Sequence, residues 1–227
     1  MFNYNGTYFK AQKRLADKAT KASFKLQSLT HKLNLPVETQ CELFDRMILP
    51  ILLYGSEVWG YVNNDIVEQV HKYYLKKVLG VRRSTPTCMV YGELGRTEIN
   101  NKIIKAMLNY WLTLEKAPDS KTAKLFLRLG KQLHDTGNIS LPWIKSIKTN
   151  LDHLGLSYIW NNVLLANTNH AKAFIEQTII DQSFQKLQLS TSNNRCATLY
   201  SMYKTRPGQE YYLSLSDYFR KPLARFR

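Results

Sequence analysis

The chain has 227 residues, of which 44% are hydrophobic and 12% aromatic, more apolar material than a disordered segment carries. Lysine and arginine number 32 against 17 acidic residues, so the formal net charge is +15 at pH 7. Folding does not require this excess, which is typical of proteins with phosphate-bearing partners. The three cysteines, Cys41, Cys88 and Cys196, are widely spaced, which excludes a disulfide framework and a Cys-x-x-Cys metal pair.

The start of the chain lacks the apolar stretch of a secretory signal. The longest apolar run, residues 47–54, is much shorter than the roughly 20 residues of a membrane span. Unpaired cysteines also favour a reducing compartment. We therefore expect an intracellular protein, nuclear or cytoplasmic, with no membrane partner.

Helical periodicity dominates the chain, and only residues 1–8 have the mixture of aromatic and turn-forming residues typical of a short strand or hairpin. In residues 10–33 apolar side chains recur every three or four positions, which predicts one long helix with a buried stripe. The predicted stripe consists of Leu15, Ala19, Ala22, Leu26, Leu29 and Leu33. A second helix follows Pro36, and Pro50 must kink or break it because proline lacks a backbone N–H.

Further helices are predicted down the chain from periodicity and from Asn, Asp, Gly and Pro at their ends. They span residues 65–79, a short segment ending near residue 94, and residues 98–115, 120–133, 142–154 and 167–189. Trp59, Trp111 and Trp160 fall in apolar stripes and are predicted to be core residues, whereas Tyr73 and Tyr74 look exposed.

The predicted fold class is mainly α, an irregular helical bundle with at most a short N-terminal strand or hairpin. Hydrophobic residues become sparser after residue 117. We place a domain boundary there, between a basic helical region, residues 1–117, and a helical C-terminal region, residues 118–227.

Basic side chains of the first helix recur on one face beside the leucine stripe. They are Lys10, Arg14, Lys18, Lys21, Lys25 and Lys32. Asp17 is the only acidic residue before residue 37, although a neutral surface helix intersperses acids that pair with its bases. A solvated lysine face is the alternative, but the net charge favours a surface that faces phosphates.

Arg82 and Arg83 follow the end of the helix at residues 65–79 and stand beside Ser84 and Thr85. Guanidinium groups and hydroxyls are the groups that commonly bind phosphate oxygens. We expect this loop to support the basic helix, and a solvated arginine pair is the alternative.

No catalytic group of residues emerges from the sequence. It has no Asp-Asp pair for two-metal nucleotidyl transfer, and Asp45, Glu57, Glu93 and Glu98 are isolated. The five histidines never pair at metal-binding spacing, and no phosphate-binding loop or nucleophile-elbow motif occurs. The sequence therefore predicts no catalytic residue, no metal and no cofactor.

Residues 33–61 and 66–96 carry a combination of short motifs with specific spacing. The motifs are Tyr54-Gly55, Glu57, Trp59-Gly60, Leu79-Gly80-Val81, Ser84-Thr85-Pro86 and Tyr91-Gly92-Glu93-Leu94-Gly95-Arg96. With the opening FNYNGTYFKAQKRLADKA, they resemble the region downstream of the palm in reverse transcriptases of non-LTR (LINE-type) retrotransposons. The resemblance is strong over residues 2–111 and weaker at 154–160 and 223–227.

The resemblance implies a parent polyprotein with an endonuclease, a reverse transcriptase and a Cys/His-rich tail. The paired aspartates of the palm do not occur in this sequence, so no catalytic residue is carried over. The chain would correspond to the thumb and the part that follows it, and the missing palm or polymerase domain would be a partner. Its basic residues would grip an RNA and/or DNA backbone, with contacts from Lys10, Arg14, Lys18, Lys21, Lys25, Arg82 and Arg83.

A function of a different class stays open at this point. The chain could be a helical protein-interaction module, or a decayed or co-opted element without nucleic-acid function. The motif glycines and aromatics, among them Gly60 and Tyr91, serve equally well as packing residues. A thumb without its palm is also expected to expose an apolar face on its first two helices.

Overall fold

The computed structural model describes residues 8–137, 141–162 and 169–193, together with residues 200, 204, 208, 221 and 223. Helices dominate this part of the chain and no strand occurs in it, so the predicted mainly α class is confirmed. The strand or hairpin predicted in residues 1–8 lies, apart from Tyr8, outside the described residues.

The helices fall close to the predicted segments. In chain order they are α1 (Phe9–Lys32), α2 (Val37–Leu43), α3 (Leu49–Leu52), α4 (Ser56–Trp59), α5 (Asp65–Leu79), α6 (Thr87–Leu94), α7 (Ile99–Lys116), α8 (Thr122–Asp135), α9 (Pro142–His153), α10 (Ser157–Asn161) and α11 (Asn169–Ser192). The short helix α10 was not predicted, because five residues are too few to show a helical period.

Two compact units are each built from segments that are separate in sequence. The first unit comprises Met1–Tyr54, Asn64–Ile99 and Ser183–Arg227, and the second comprises Gly55–Asn63 and Asn100–Gln182. The sequence division into residues 1–117 and 118–227 stays a prediction.

Pro50 breaks the second predicted helix as expected. It lies in the first turn of α3, and the five residues Phe44–Ile48 before that helix form a π-helical turn. Proline has no N–H to offer the carbonyl of Arg46 and its ring crowds that carbonyl. The wider π turn accommodates the missing N–H and the proline ring, and the chain continues in the same direction.

Helix α5 ends at the predicted glycine. Gly80 has a φ of 71°, a left-handed conformation that costs a residue with a Cβ. Its N–H donates to the carbonyl of Lys77 at 3.0 Å, and the Val81 N–H donates to that of Lys76 at 3.1 Å. These bonds satisfy the last carbonyls of α5 and fix where the following loop begins.

Helices α1 and α5 pack against each other and run in the same direction. Near their N-terminal ends the Gln12 amide donates to the Asn64 side-chain oxygen at 3.0 Å. Further along, the rings of Phe24 and Tyr73 meet edge to face with centroids 6.0 Å apart. The two C-terminal ends therefore lie together in the first unit.

The buried face of α1 differs from the predicted leucine stripe. It consists of Gln12, Ala16, Ala19, Ser23, Leu26 and Thr30. Leu29 and Leu33 are 55% and 66% exposed, so their predicted burial was wrong. The buried face is turned by about 60° from the predicted stripe. Small side chains allow the neighbouring helices to approach α1 closely, and this packing decided which side is covered.

A buried carboxylate connects α5, α6 and α7. Glu68 is 7% exposed and accepts hydrogen bonds from the Tyr91 hydroxyl and, at 2.7 Å, from the N–H of Ile99, the first residue of α7. The His71 Nδ1 lies 3.7 Å from the same carboxylate, and the Phe44 ring stacks on His71. An anion at the start of α7 also interacts favourably with the helix dipole.

Burial raises the pKa of Glu68, but the nearby His71 imidazole and the hydrogen bond from Tyr91 outweigh it and leave the pKa below the ordinary value of 4.5. Burial, reinforced by the charge of Glu68, raises the pKa of Tyr91. Tyr91 therefore stays protonated as a donor while Glu68 stays ionised as an acceptor.

The second unit is organised around two stacked indoles. Trp111 and Trp160 are buried with ring centroids 6.0 Å apart. The Lys131 ammonium lies 4.6 Å from the centroid of Trp160 and 2.9 Å from the Glu115 carboxylate. Trp59 is also buried in this unit, so the predicted burial of all three tryptophans is confirmed.

Gly60→Ala is expected to destabilise the protein by about 1–3 kcal/mol because of overpacking. Gly60 has a φ of −63°, which alanine can adopt, but a Cβ would overlap Ile103 and lie 2.7 Å from the Met107 sulfur and 2.6 Å from the Ser56 carbonyl oxygen. Urea denaturation measures the loss. In an Ile103→Ala background the cost is expected to shrink, and an unchanged cost would contradict the steric cause.

Glu68→Gln is expected to destabilise the protein at neutral pH by about 2–4 kcal/mol, because a buried ionised acceptor with several donors is lost. The folded pKa of Glu68 is lowered, so its stabilisation is present above pH 4.5 and is lost as pH falls through the folded pKa. The difference between wild type and variant should therefore shrink in acid. Chemical denaturation across this pH range measures it.

The matched control is Glu42→Gln, which removes an exposed carboxylate that lies 3.8 Å from Arg46. Its effect is expected to stay below about 1 kcal/mol. Equal losses in the two variants would show that Glu68 has no special structural role.

Candidate nucleic-acid interface

The basic side chains predicted on α1 form one exposed row. All six are exposed, and they lie within about 80° of the helix circumference, on the side away from the buried face. The members of this row are Lys10, Arg14, Lys18, Lys21, Lys25 and Lys32. We call it the α1 row.

The α1 row is long enough to follow a nucleic-acid backbone. From Lys10 to Lys32 the helix rises by about 33 Å, close to the length of one duplex turn of about 34 Å. A straight helix on a curved backbone reaches several phosphates along this length.

The α1 row forms no ion pair within the described part of the chain. None of its six side chains lies within ion-pair distance of a described carboxylate. Other cations of the first unit are paired, such as Arg96, which donates to both Asp45 oxygens at 2.7 and 2.6 Å. The contrast leaves a strongly positive surface on α1, where six exposed cations outnumber the single acidic residue of that helix, Asp17.

The loop with Arg82 and Arg83 is held against α5. Both arginines are exposed. The Lys76 ammonium donates to the Arg83 carbonyl at 2.6 Å, and the Arg83 guanidinium lies 5.2 Å from the centroid of the Tyr73 ring. Because Tyr73 also contacts Phe24, two aromatic rings link this loop to α1.

Three lysines of α5 add charge beside this loop, and the sequence prediction omitted them. Lys72, Lys76 and Lys77 lie in its last two turns, and the Lys77 ammonium is 5.7 Å from the centroid of Tyr73. Burial and the charge of Lys72 lower the pKa of Lys76. Lys76 and Lys77 follow Lys72 by four and five residues, which places the three near one another on the helix. That spacing is the sequence signal that could have identified them.

Some aromatic and glycine positions of the sequence motifs act in packing. Tyr91 is buried and bonds Glu68, and a Cβ on Gly92 would lie 2.6 Å from the Tyr200 hydroxyl oxygen. Tyr74, predicted to be exposed, is fully buried and donates to the Gln40 carbonyl at 2.8 Å. That prediction was wrong because Tyr74 faces the Phe44 ring at the helix contact. Tyr54, in contrast, is 76% exposed.

Two of the isolated acids form ion pairs. Asp45 pairs with Arg96 and Glu98 with Lys186 at 2.8 Å, as expected for carboxylates that form ion pairs. Among the described residues, no group of three or more His, Cys, Asp or Glu side chains could hold a metal ion. The described helices also include none with the length and apolarity that crossing a membrane demands.

Comparison with known proteins gives no relative for this arrangement. No family model, no curated protein and no solved structure matches the chain. The observations that bear on function are therefore the α1 row and the residues around it.

Proposed function

We propose that the chain binds the nucleic-acid backbone without reading its sequence, as a non-catalytic C-terminal part of a retrotransposon RNA-directed DNA polymerase. The observation that carries the proposal is the α1 row, six exposed cations over about 33 Å with no described carboxylate in ion-pair range. Lysine and arginine contacts to phosphates fix position and orientation but carry no base information.

Arg82 and Arg83 extend this surface. Exposure leaves both guanidinium groups available, and stacking on Tyr73 orients that of Arg83. A guanidinium held in one orientation loses less entropy when it binds a phosphate with two hydrogen bonds. The loop thus complements a row made mostly of flexible lysines.

The parentage rests on the family motifs. Polymerisation would require a palm supplied elsewhere, and this chain would contribute the grip on the template–primer. Exposed apolar side chains beside the α1 row, Leu29 and Leu33, together with Met47 and Tyr54, are compatible with a further domain that covers them.

A second candidate function is favoured by helix α8. Four large apolar side chains lie within about 100° of its circumference and are all exposed, Leu125, Phe126, Leu129 and Leu133. A contiguous apolar helix face is typical of a protein-interaction surface. On this second proposal the chain is a helical interaction module without nucleic-acid function.

Replacing Lys10, Arg14, Lys18, Lys21 and Lys25 together by glutamine is expected to weaken duplex binding at low salt by at least about 100-fold. Each lost phosphate contact reduces the slope of log affinity against log salt by about 0.9, so the slope should fall by up to about 4.5. Fluorescence anisotropy with mixed-sequence DNA duplexes and RNA–DNA hybrids, titrated at several salt concentrations, measures both quantities.

The matched control removes five exposed lysines outside the proposed interface, Lys116, Lys121, Lys145, Lys172 and Lys186. The control changes the net charge by the same amount as the α1 row variant. A difference in affinity between the two variants therefore reports the position of the charges and not their number. If both variants lose affinity and slope equally, the α1 row is not the binding site.

On the second proposal the chain associates with itself through α8. The double variant Phe126→Glu, Leu129→Glu is then expected to be monomeric, because two charges cannot be buried in an apolar contact. Sedimentation velocity measures the change. Tyr158→Glu, at another exposed side chain of the same unit, is the control. Background nucleic-acid affinity together with this pattern would replace the first proposal by the second.

A further inference from the structure

A cleft in the first unit carries chemistry that the α1 row does not use. It lies where the parallel helices α1 and α5 end, beside α2, and has a volume of about 180 Å³. Its polar lining consists of Gln27, Thr30, His31, Gln40, Lys77 and Lys221. The cleft therefore has room for a small polar group and several groups that can bind one.

The cleft is positively charged. Lys77 and Lys221 bring two ammonium groups and His31 an imidazole, and none of the described residues that line it is acidic. The alkyl chain of Lys221 lies against Gly80, where a Cβ would come within 2.5 Å of the Lys221 Cγ. The missing side chain of Gly80 thus gives Lys221 its place at the cleft.

One hydrogen-bond donor of the cleft has no acceptor within the described part of the chain. The Gln27 Nε2 is buried without a partner. The neighbouring polar groups bond elsewhere: the Thr30 hydroxyl donates to the Gln27 carbonyl at 3.1 Å and the Gln40 amide donates to the Leu35 carbonyl at 2.8 Å. A buried donor without an acceptor is costly, and an oxyanion in the cleft would satisfy it.

The helix ends do not by themselves account for this arrangement. Cations beside the C-terminal ends of α1 and α5 offset the negative ends of the helix dipoles. That explains Lys77 but not the Gln27 N–H, which is buried and reaches no acceptor among the described residues. The donor and the cations together match an acceptor with negative charge.

We infer that this cleft is a binding site for a single phosphate group. Lys77 and Lys221 supply the charge, and the Gln27 amide supplies a directional hydrogen bond to a phosphate oxygen. The phosphate can come from the end of a nucleic-acid strand or from a free anion such as inorganic phosphate or pyrophosphate. The inference does not depend on the α1 row, because none of the residues lining the cleft belongs to it, although Lys77 also stands beside the arginine loop.

Isothermal titration of the full chain with inorganic phosphate and with pyrophosphate tests the site. Wild type is expected to bind at one saturable site. Lys77→Gln and Gln27→Leu are each expected to weaken binding about tenfold, since each removes one hydrogen bond to a charged group. Lys13→Gln, an exposed lysine on α1 about 21 Å along the helix from Gln27, is the charge-matched control and should bind as wild type does.

Folding is checked separately. Gln27→Leu is expected to keep or raise the thermal midpoint without phosphate, because it removes an unsatisfied buried donor. A loss of phosphate affinity in this variant is then a loss at the site. Absence of saturable binding in wild type, or equal affinity in wild type and Gln27→Leu, would overturn the inference.

Oligonucleotides with a 5′-phosphate or a 5′-hydroxyl distinguish the two sources. Tighter binding of the phosphorylated strand that Lys77→Gln abolishes assigns the site to a strand end. Equal binding of both strands, together with saturable binding of the free anion, assigns it to the free anion and supports the site as well. If the α1 row variant leaves duplex affinity unchanged, the proposed function fails. The phosphate titration and the comparison of the two strands still test the cleft on their own.

Discussion

The contact between α1 and α5 fixes the position of every charge in the candidate interface. Helix α1 approaches its neighbours through small side chains such as Ala16, Ala19 and Ser23, and the bond from Gln12 to Asn64 sets the register. Since unpaired ammonium groups cannot be buried at acceptable cost, the lysines must occupy the opposite side. Burying one face of α1 therefore leaves a continuous cationic face on the opposite side, and no loop is needed to form it.

Helix α5 positions the other candidate residues. Its interior side carries Glu68, which binds the start of α7, while its C-terminal end carries the lysines and the loop with Arg83. The left-handed Gly80 ends the helix, leaves space for Lys221 and so contributes to the cationic cleft. One helix thus joins the core, the arginine loop and the cleft, and a shift of α5 would alter all three.

The sequence predicted most elements because their signals are local. Periodicity and capping located α1, α5 and the break at Pro50, where a π turn absorbs the missing N–H. Burial was predicted wrongly at three residues, since Leu29 and Leu33 are exposed and Tyr74 is buried. Periodicity states which residues share a face, but which face is covered depends on the shape of a partner helix. The Gln27 donor had no sequence signal at all, because its environment comes from α2 and α5.

The sequence by itself determined the mainly α class, the helix ends and the row of cations on α1, because each follows from spacing along one helix. Only the tertiary structure decided that this row faces solvent and forms no ion pair with a described carboxylate, and that Lys77 and Gln27 meet at one cleft. These properties depend on residues about fifty positions apart in sequence, brought together by packing whose geometry no local pattern contains.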